Sequence, residues 1–358
     1  MFLQSMTIKG WRNYTGEKVE FLPGINLFIG KNGQGKTNLL EAVYFLTSGH
    51  SPRSGRTEDL INWQENYFFI AGRVRRGQRV TLVEMGAARD GRRVYKVDGT
   101  PIQRLSDIGD YVNSIFFLPE DLFLVKGGPA LRRRFLDMEI GQIDSSYRLL
   151  VREYKKFLRE RNALLKSKVQ DKILMNVLTE KLAELSGPIS QKRQDYLQKL
   201  SVLARLKHRK LSFNSEELSL KYKASVEPGL PCAGVMELFK KAEGLEHRYK
   251  ATLVGPHRDD FIFIVNGSDL RAFGSQGQQR TAVLSVKLAE IELFKGETGE
   301  YPLLLLDDVF SELDGERKAM LLQDLSGKVQ TFISSVESPP GPGIKTFWIE
   351  SGKIRERE

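Results

Sequence analysis

The chain has 358 residues, 55 Lys plus Arg against 45 Asp plus Glu, 41% apolar residues and a single cysteine. That length suits two domains, or one domain with a large insertion, and the apolar share excludes a mainly disordered protein. Cys232 alone makes no internal disulfide or cysteine-rich zinc site, no apolar run approaches the roughly 18 residues of a membrane span, and the opening MFLQSMTIKGWRNY lacks the pattern of a secretory leader, so a cytoplasmic protein is expected.

The first third reads as short strands separated by turns: FLQSMTIKG, KVEFLPG, INLFIG, YFFIAGRV, RVTLVEMG and RRVYKVDG. One helix, NLLEAVYFL, interrupts them just after Thr37. Between INLFI and that helix, Gly30, Lys31, Asn32, Gly33, Gln34, Gly35, Lys36 and Thr37 satisfy G-x-x-x-x-G-K-S/T in the strand, loop, helix context that a phosphate loop requires. Glycines let successive N–H groups turn toward phosphates, the lysine reaches the β- and γ-phosphates of ATP, and the threonine hydroxyl ligates Mg²⁺. The hairpin segment that follows carries a smaller basic cluster, including Arg73, Arg75 and Arg79.

From residue 129 to 211 the period becomes helical, with a Ser186-Gly187-Pro188 step expected to end or kink one helix. Residues 131–210 hold 20 Lys plus Arg against 9 Asp plus Glu, which leaves the rest of the chain at −1. A surplus confined to one segment points to a polyanion partner, with a solvated helical face as the alternative. Arg152, Lys155, Lys156, Arg159 and Arg161 are the residues expected to face it. A strand LSLKYKASV and a short helix follow, then strands at ATLVGP, DFIFIVNG, PLLLLD, VQTFIS and KTFWIE, with helices after Gln276 and Gly315. The expected division is a head from residues 1–128 and 246–358 with an inserted lobe at 129–245.

Two further motifs lie in the last third. Ser275, Gly277 and Gln278 open a helix, as an ordinary N-cap would. The uniform run PLLLL ends in Asp307 and Asp308, at the end of a central strand where an α/β sheet places its ligand. There Asp307 suits a Mg²⁺ shell and Asp308 an attacking water. The alternative is that both carboxylates cap or salt-bridge the next helix.

Phosphate loop, Ser-x-Gly-Gln turn, acidic strand and Ser-x-Leu-Asp, in that order, resemble the ABC-type ATPases of chromosome maintenance and repair, most closely the RecF family. The resemblance spans essentially the whole chain, on IKGWRNY, GKNGQGKTNLLEAVYFL, FFLPEDLFLVKGGPALRRRFLD, TLVGPHRDD, SQGQQRT and LLLLDDVFSELD. It implies an α/β fold, an ABC-type ATPase head of mixed β-sheets around the phosphate-loop core, with an inserted, mainly α-helical second lobe. It also implies an ATP- and Mg²⁺-dependent homodimer that binds DNA at gaps or single-strand/duplex junctions. Such a dimer acts with RecO and RecR, promotes RecA loading and SOS induction, and has no membrane partner.

The resemblance assigns residues 30–38, Asn38 included, to the Walker A segment, Asp307 and Asp308 to Walker B, and residues 311–314 to the D-loop. It makes Ser275, Gly277 and Gln278 a signature turn serving the opposite subunit's nucleotide. Arg12 and Asn13 match a nucleotide-proximal segment. Glu120 stands where transporter relatives carry the Q-loop glutamine, or is a capping carboxylate after Pro119. Lys36, Asp308 and Glu120 are the catalytic candidates, and an ion pair with Asp259 or Asp260 is expected for His257 and Arg258. Ser334 and Ser335 replace a switch histidine, and Asp308 is one methylene shorter than the usual Glu, so slow, DNA-stimulated, switch-like ATP turnover is expected. A membrane transporter's ATPase subunit is the competing reading, but it has no use for a basic helical insertion. A small-molecule P-loop kinase leaves the turn at residues 275–278 unexplained.

Overall fold

The computed structural model describes residues 1–167, 171–337 and 343–356, apart from the side chains of Ser106 and Glu312. They divide into two compact units, Met1–Asp121 with Glu290–Glu358, and Leu122–Ala289.

In the first unit a helix is held between two sheets. One sheet runs, edge to edge, Lys353–Glu356, Ile344–Glu350, Ile25–Ile29, Thr331–Ser335, Leu303–Leu306 and Ser114–Phe117. Its strands pair in parallel except for the antiparallel terminal hairpin. INLFI and LLLL are buried at every position, as strands covered on both faces must be. Ile29 lies opposite Ser335, and Leu306 opposite both Ile333 and Phe117. The phosphate loop, Ser334 and Asp307 therefore emerge along one carboxyl edge, where open α/β sheets bind ligands.

The second sheet is antiparallel, in the order Tyr14–Glu20, Phe2–Trp11, Tyr67–Arg76, Arg79–Ala88, Arg93–Val97 and Thr100–Pro101. Its alternation sends Ile8, Ile70 and Met85 inward and leaves Lys9, Arg73 and Arg75 exposed. The helix Lys36–Ser48 touches strands of both sheets and is buried throughout residues 39–47. Gly72 permits that approach, because a Cβ there would strike Leu46 of the helix.

The second unit contains the helices Pro129–Ile143, Ser145–Lys166, Lys172–Leu211 and Cys232–Tyr249 and a small antiparallel sheet of Ser268–Asp269, Asp260–Val265 and Leu218–Lys223. Asp144 and Asp171 start two of these helices by accepting from the N–H groups of Tyr147 and Leu174. The 40-residue helix Lys172–Leu211 buries Leu178, Leu182, Ile189, Tyr196, Leu200 and Ala204 along one face.

Three expectations are corrected here. Of the end or kink expected at Ser186-Gly187-Pro188, the end does not occur: Pro188 lies inside Lys172–Leu211, the Ser186 hydroxyl donates to the Leu182 carbonyl, and a Cβ on Gly187 would lie 2.6 Å from the Leu230 carbonyl oxygen. Packing of the buried face outweighs the proline penalty of about 3 kcal/mol. ATLVGP is irregular rather than a strand. Asn162 takes the Thr252 N–H, Glu246 the Leu253 N–H and Ser225 the Gly255 N–H, so side chains occupy donors that a ladder would need. Finally, the chain leaves the first unit after residue 121 and returns at 290, not at 129 and 246. Residues 246–289 stay with the helical unit because Asp260–Val265 pairs with Leu218–Lys223 and Arg132 grips Asp260 at 2.6 Å.

Candidate functional site

The phosphate loop is shaped by glycines whose conformation or surroundings exclude a side chain. Gly33 and Gly35 have φ of 79° and 116°, in the left-handed region. A Cβ on Gly35 would also lie 2.5 Å from Asn13 Nδ2, and one on Gly30 would strike the Ile349 carbonyl. A second layer holds the loop from behind. Asn13 donates to the Gln34 carbonyl and accepts from Asn38, both at 2.9 Å, while the buried Tyr14 hydroxyl donates to the Gly35 carbonyl at 2.9 Å. Gln34 Oε1 in turn accepts from the Ser351 N–H at 2.7 Å.

Lys36 curls back over the loop and donates to the carbonyls of Gly30 and Lys31 at 2.6 and 2.9 Å. Burial pulls its ammonium below the usual lysine range, and the Asp308 and Asp307 carboxylates oppose that pull. Thr37 Oγ1 lies 2.9 Å from both carboxylate oxygens of Asp307. Ser334 completes the arrangement, donating to Asp307 Oδ1 at 2.6 Å and accepting from the Asp308 N–H at 2.9 Å. Burial pushes the Asp307 carboxyl above its ordinary range, against the hydrogen bonds from Ser334 and Thr37. Asp308 differs sharply from its neighbour: it is exposed, and its backbone sits at φ 51°, in the left-handed region that turns the chain out of the strand.

Arg12 is committed to a neighbouring network. Its guanidinium donates to both oxygens of Glu41, at 2.9 and 2.8 Å, and to the Asp59 carbonyl at 3.0 Å. Glu41 is fully buried inside the phosphate-loop helix and also accepts from Ser51, with Arg53 3.8 Å away. Glu41, Tyr14, Arg53 and the bonding role of Ser334 were missed by sequence reasoning. A carboxylate within the apolar run NLLEAVYFL was the available signal for the first, since a buried charge requires a partner.

Ser275, Gly277 and Gln278 lie in the second unit. Ser275 and Gln278 form a reciprocal capping box: the Gln278 N–H donates to Ser275 Oγ at 3.2 Å and the Ser275 N–H to Gln278 Oε1 at 2.9 Å. That turn opens the helix Gln276–Thr298, with Ser275 and Gly277 exposed and Phe273 beside them 81% exposed. Glu120 is exposed after the strand Ser114–Phe117, and the local capping carboxylate is Asp121, which accepts from the Leu118 N–H at 2.8 Å.

Two more expectations fail. His257 and Arg258 do not pair with Asp259 or Asp260; both side chains donate to the Thr252 carbonyl. Asp259 belongs to Arg193 at 2.8 Å and Asp260 to Arg132. The histidine's other nitrogen accepts from the Tyr154 hydroxyl at 2.6 Å, and burial holds its pKa down at about 4. Arg161, expected on the basic surface, is buried and bonded to Glu246 at 2.6 Å, to Thr179 and to Thr252.

Residues 2–340 match the RecF/RecN/SMC N terminal domain family. A Listeria welshimeri protein named DNA replication and repair protein RecF is 43% identical over 371 aligned residues, spanning 99% of this chain and 100% of its own. The chain belongs to the RecF family. A RecF of the same description from Limosilactobacillus fermentum is 44% identical over the full length of both chains. Two solved structures of the recombination mediator protein RecF in the RecFOR pathway, described as RecF-ATP and RecF-ATPrS, superpose with TM-scores of 0.93 and 0.92 at 36% identity, the matches covering 100% and 99% of this chain and 98% of theirs. An Smc head domain from Pyrococcus furiosus shares the fold alone, with a TM-score of 0.59 at 18% identity. The α/β ABC-type head with a helical second unit is thus a RecF fold.

Proposed function

We propose that this RecF-family chain is an ATP-dependent DNA-binding protein of recombinational repair and replication-fork maintenance, in which ATP joins two copies and slow hydrolysis releases them. With RecO and RecR, the dimer promotes RecA loading at gaps or single-strand/duplex junctions. The observation that carries the reading is the convergence of Lys36, Thr37, Asp307 and Ser334 at one sheet edge in a chain that aligns with RecF from end to end.

The loop N–H groups, Lys36 and the start of its helix bind the triphosphate, and its carbonyl contacts mark where Lys36 waits. Thr37 and Asp307 fit Mg²⁺: a buried carboxylate held only by hydroxyls gains a cation it lacks. When bound, the ion neutralises charge on the phosphates. Exposed Asp308 positions the lytic water, with Glu120 as the Q-loop counterpart. Asn13 and Asn38 brace the loop, and Arg12 acts through Glu41 on the helix behind it.

The exposed ends of Ser275 and Gly277 suit contact with the partner's nucleotide, and the exposed Lys156 and Arg159 suit duplex phosphates. Among the described residues no helix is long and apolar enough to cross a membrane, and the end-to-end RecF similarity leaves the transporter reading without support. Retention on duplex DNA with and without ATP at two salt concentrations tests the proposal, and no binding at low salt with ATP would sink it. Asp308→Asn should bind ATP and dimerise yet slow phosphate release by about 10²–10⁴. Release at the parental rate would remove Asp308 from that role. Ser275→Arg should bind nucleotide as a monomer but not dimerise in sedimentation; lost monomer binding would refute the role across the interface.

A further inference from the structure

The helical unit carries a cleft of about 540 Å³ among the helices Pro129–Ile143, Ser145–Lys166 and Lys172–Leu211. Met138, Val151, Leu158 and Ile189 line it with apolar surface, while Arg133, Arg134, Arg148, Arg152, Lys155 and Arg193 line it with positive charge. Asp137 is the one carboxylate in that lining. It is already shared, accepting from Arg193 at 2.8 Å, Lys155 at 2.7 Å and the Tyr147 hydroxyl at 2.9 Å. His257 adds no charge at neutral pH.

Three guanidinium groups make no ion pair among the described residues: Arg134 and Arg152 are exposed, and Arg133 feels the Asp260 and Asp259 carboxylates only beyond ion-pair distance. Among the described residues, no carboxylate lies within ion-pair distance of Arg133, Arg134 or Arg152, and Arg133 donates only to the Asp259 carbonyl, at 2.9 Å. Burial and the adjacent Arg193 charge work against Arg133 and the Asp260 and Asp259 carboxylates oppose them, while a guanidinium stays protonated throughout. Elsewhere in this unit the inward-facing arginines are closed: Arg132 on Asp260, Arg161 on Glu246. Three open forks around one concavity form a standing attraction for a multivalent oxyanion, which guanidinium geometry matches.

We propose that this cleft is a phosphate-binding site, separate from the phosphate loop, that takes backbone phosphates at an unstacked or terminal nucleotide of a nucleic-acid strand. Its volume lies in the range of small-ligand sites, too small for a duplex, and its apolar floor accommodates a sugar or base beside the phosphate. The proposal rests on the DNA-binding reading above.

The test uses the full chain with saturating ATP and Mg²⁺, so that the phosphate loop is occupied. Its probes are a labelled 5′-phosphorylated oligothymidylate and inorganic pyrophosphate. The triple variant Arg133→Gln, Arg134→Gln, Arg152→Gln should bind the oligonucleotide at least about 10-fold more weakly, with a salt slope smaller by about 2, and should still dimerise with ATP. Pyrophosphate should compete with the oligonucleotide on the parental protein, and the corresponding triple Lys variant should recover part of the affinity. Unchanged binding of both probes in a folded Gln variant overturns the site. Loss of pyrophosphate binding with oligonucleotide binding intact overturns the nucleic-acid source and leaves a free-anion site. A parental protein that binds no DNA refutes the broader function, whereas pyrophosphate binding lost in the variant would still establish the cleft.

Discussion

In the helical unit the buried guanidinium groups of Arg132, Arg161 and Arg193 each close on a carboxylate, whereas at the phosphate loop buried Lys36 bonds two carbonyls and buried Asp307 bonds two hydroxyls. Both regions bury charge, but the three arginines pair with carboxylates, whereas among the described residues Lys36 and Asp307 pair with no opposite charge. Closed pairs hold a fold in one arrangement, and removing one partner strands the other. Open charges contribute little to the free protein and gain their partners when a ligand arrives. This contrast separates structural from functional charges more cleanly than burial does.

The strongest way to break the comparison is Arg193→Met, which takes from buried Asp259 its ion-pair partner and leaves Asp137 paired with Lys155 alone. It should cost about 3–5 kcal/mol in urea unfolding; a loss below about 1 kcal/mol would mean that the closed network is not structural. Next is the neutral His257, held at about 4 against an ordinary 6.5 by burial first and then by the charges of Arg258, Arg133 and Arg161. Because the folded pKa is depressed, its contribution is complete above about pH 6.5 and is lost as pH falls toward 4, by something on the order of 3 kcal/mol. His257→Gln can keep both hydrogen bonds, so stability curves of the two proteins should diverge over that interval. Parallel curves would show that His257 is not held neutral. The smallest stability effect belongs to Lys36→Met. Unfolding should shift by less than about 1 kcal/mol, since no buried carboxylate pairs directly with it, while ATP affinity falls about 10- to 100-fold by titration calorimetry. A large loss of stability would place Lys36 with the closed charges.

The nucleotide edge was legible because strand, loop and helix are contiguous and the second half, LLLLDD, announces itself by uniform burial. The helical unit was less so. Asp259 and Asp260 sit beside His257 and Arg258 in sequence, but their partners Arg193 and Arg132 lie 66 and 128 residues away. Arg161 looked like surface because its helix is strongly charged; its burial depends on Glu246, 85 residues on. ATLVGP has strand composition, yet its donors answer to side chains from other elements. Local pattern predicts elements, whereas which polar group meets which is decided by packing. Ser334 shows both sides: its place at a strand end was visible, but its bond to Asp307 required the parallel register.

The order of strands in the nucleotide sheet also has a consequence for biosynthesis. Among the described residues, Ile25–Ile29, the strand that feeds the phosphate loop, has as its sheet neighbours Thr331–Ser335 and Ile344–Glu350. At about 5–20 residues per second a ribosome needs roughly 15–60 s to make the intervening chain. Residues 122–289 are continuous and can fold in that interval, while INLFI waits unpaired. The loop is thus among the first segments synthesised and the last to be held in shape, so a nascent or prematurely ended chain cannot assemble the ATP site.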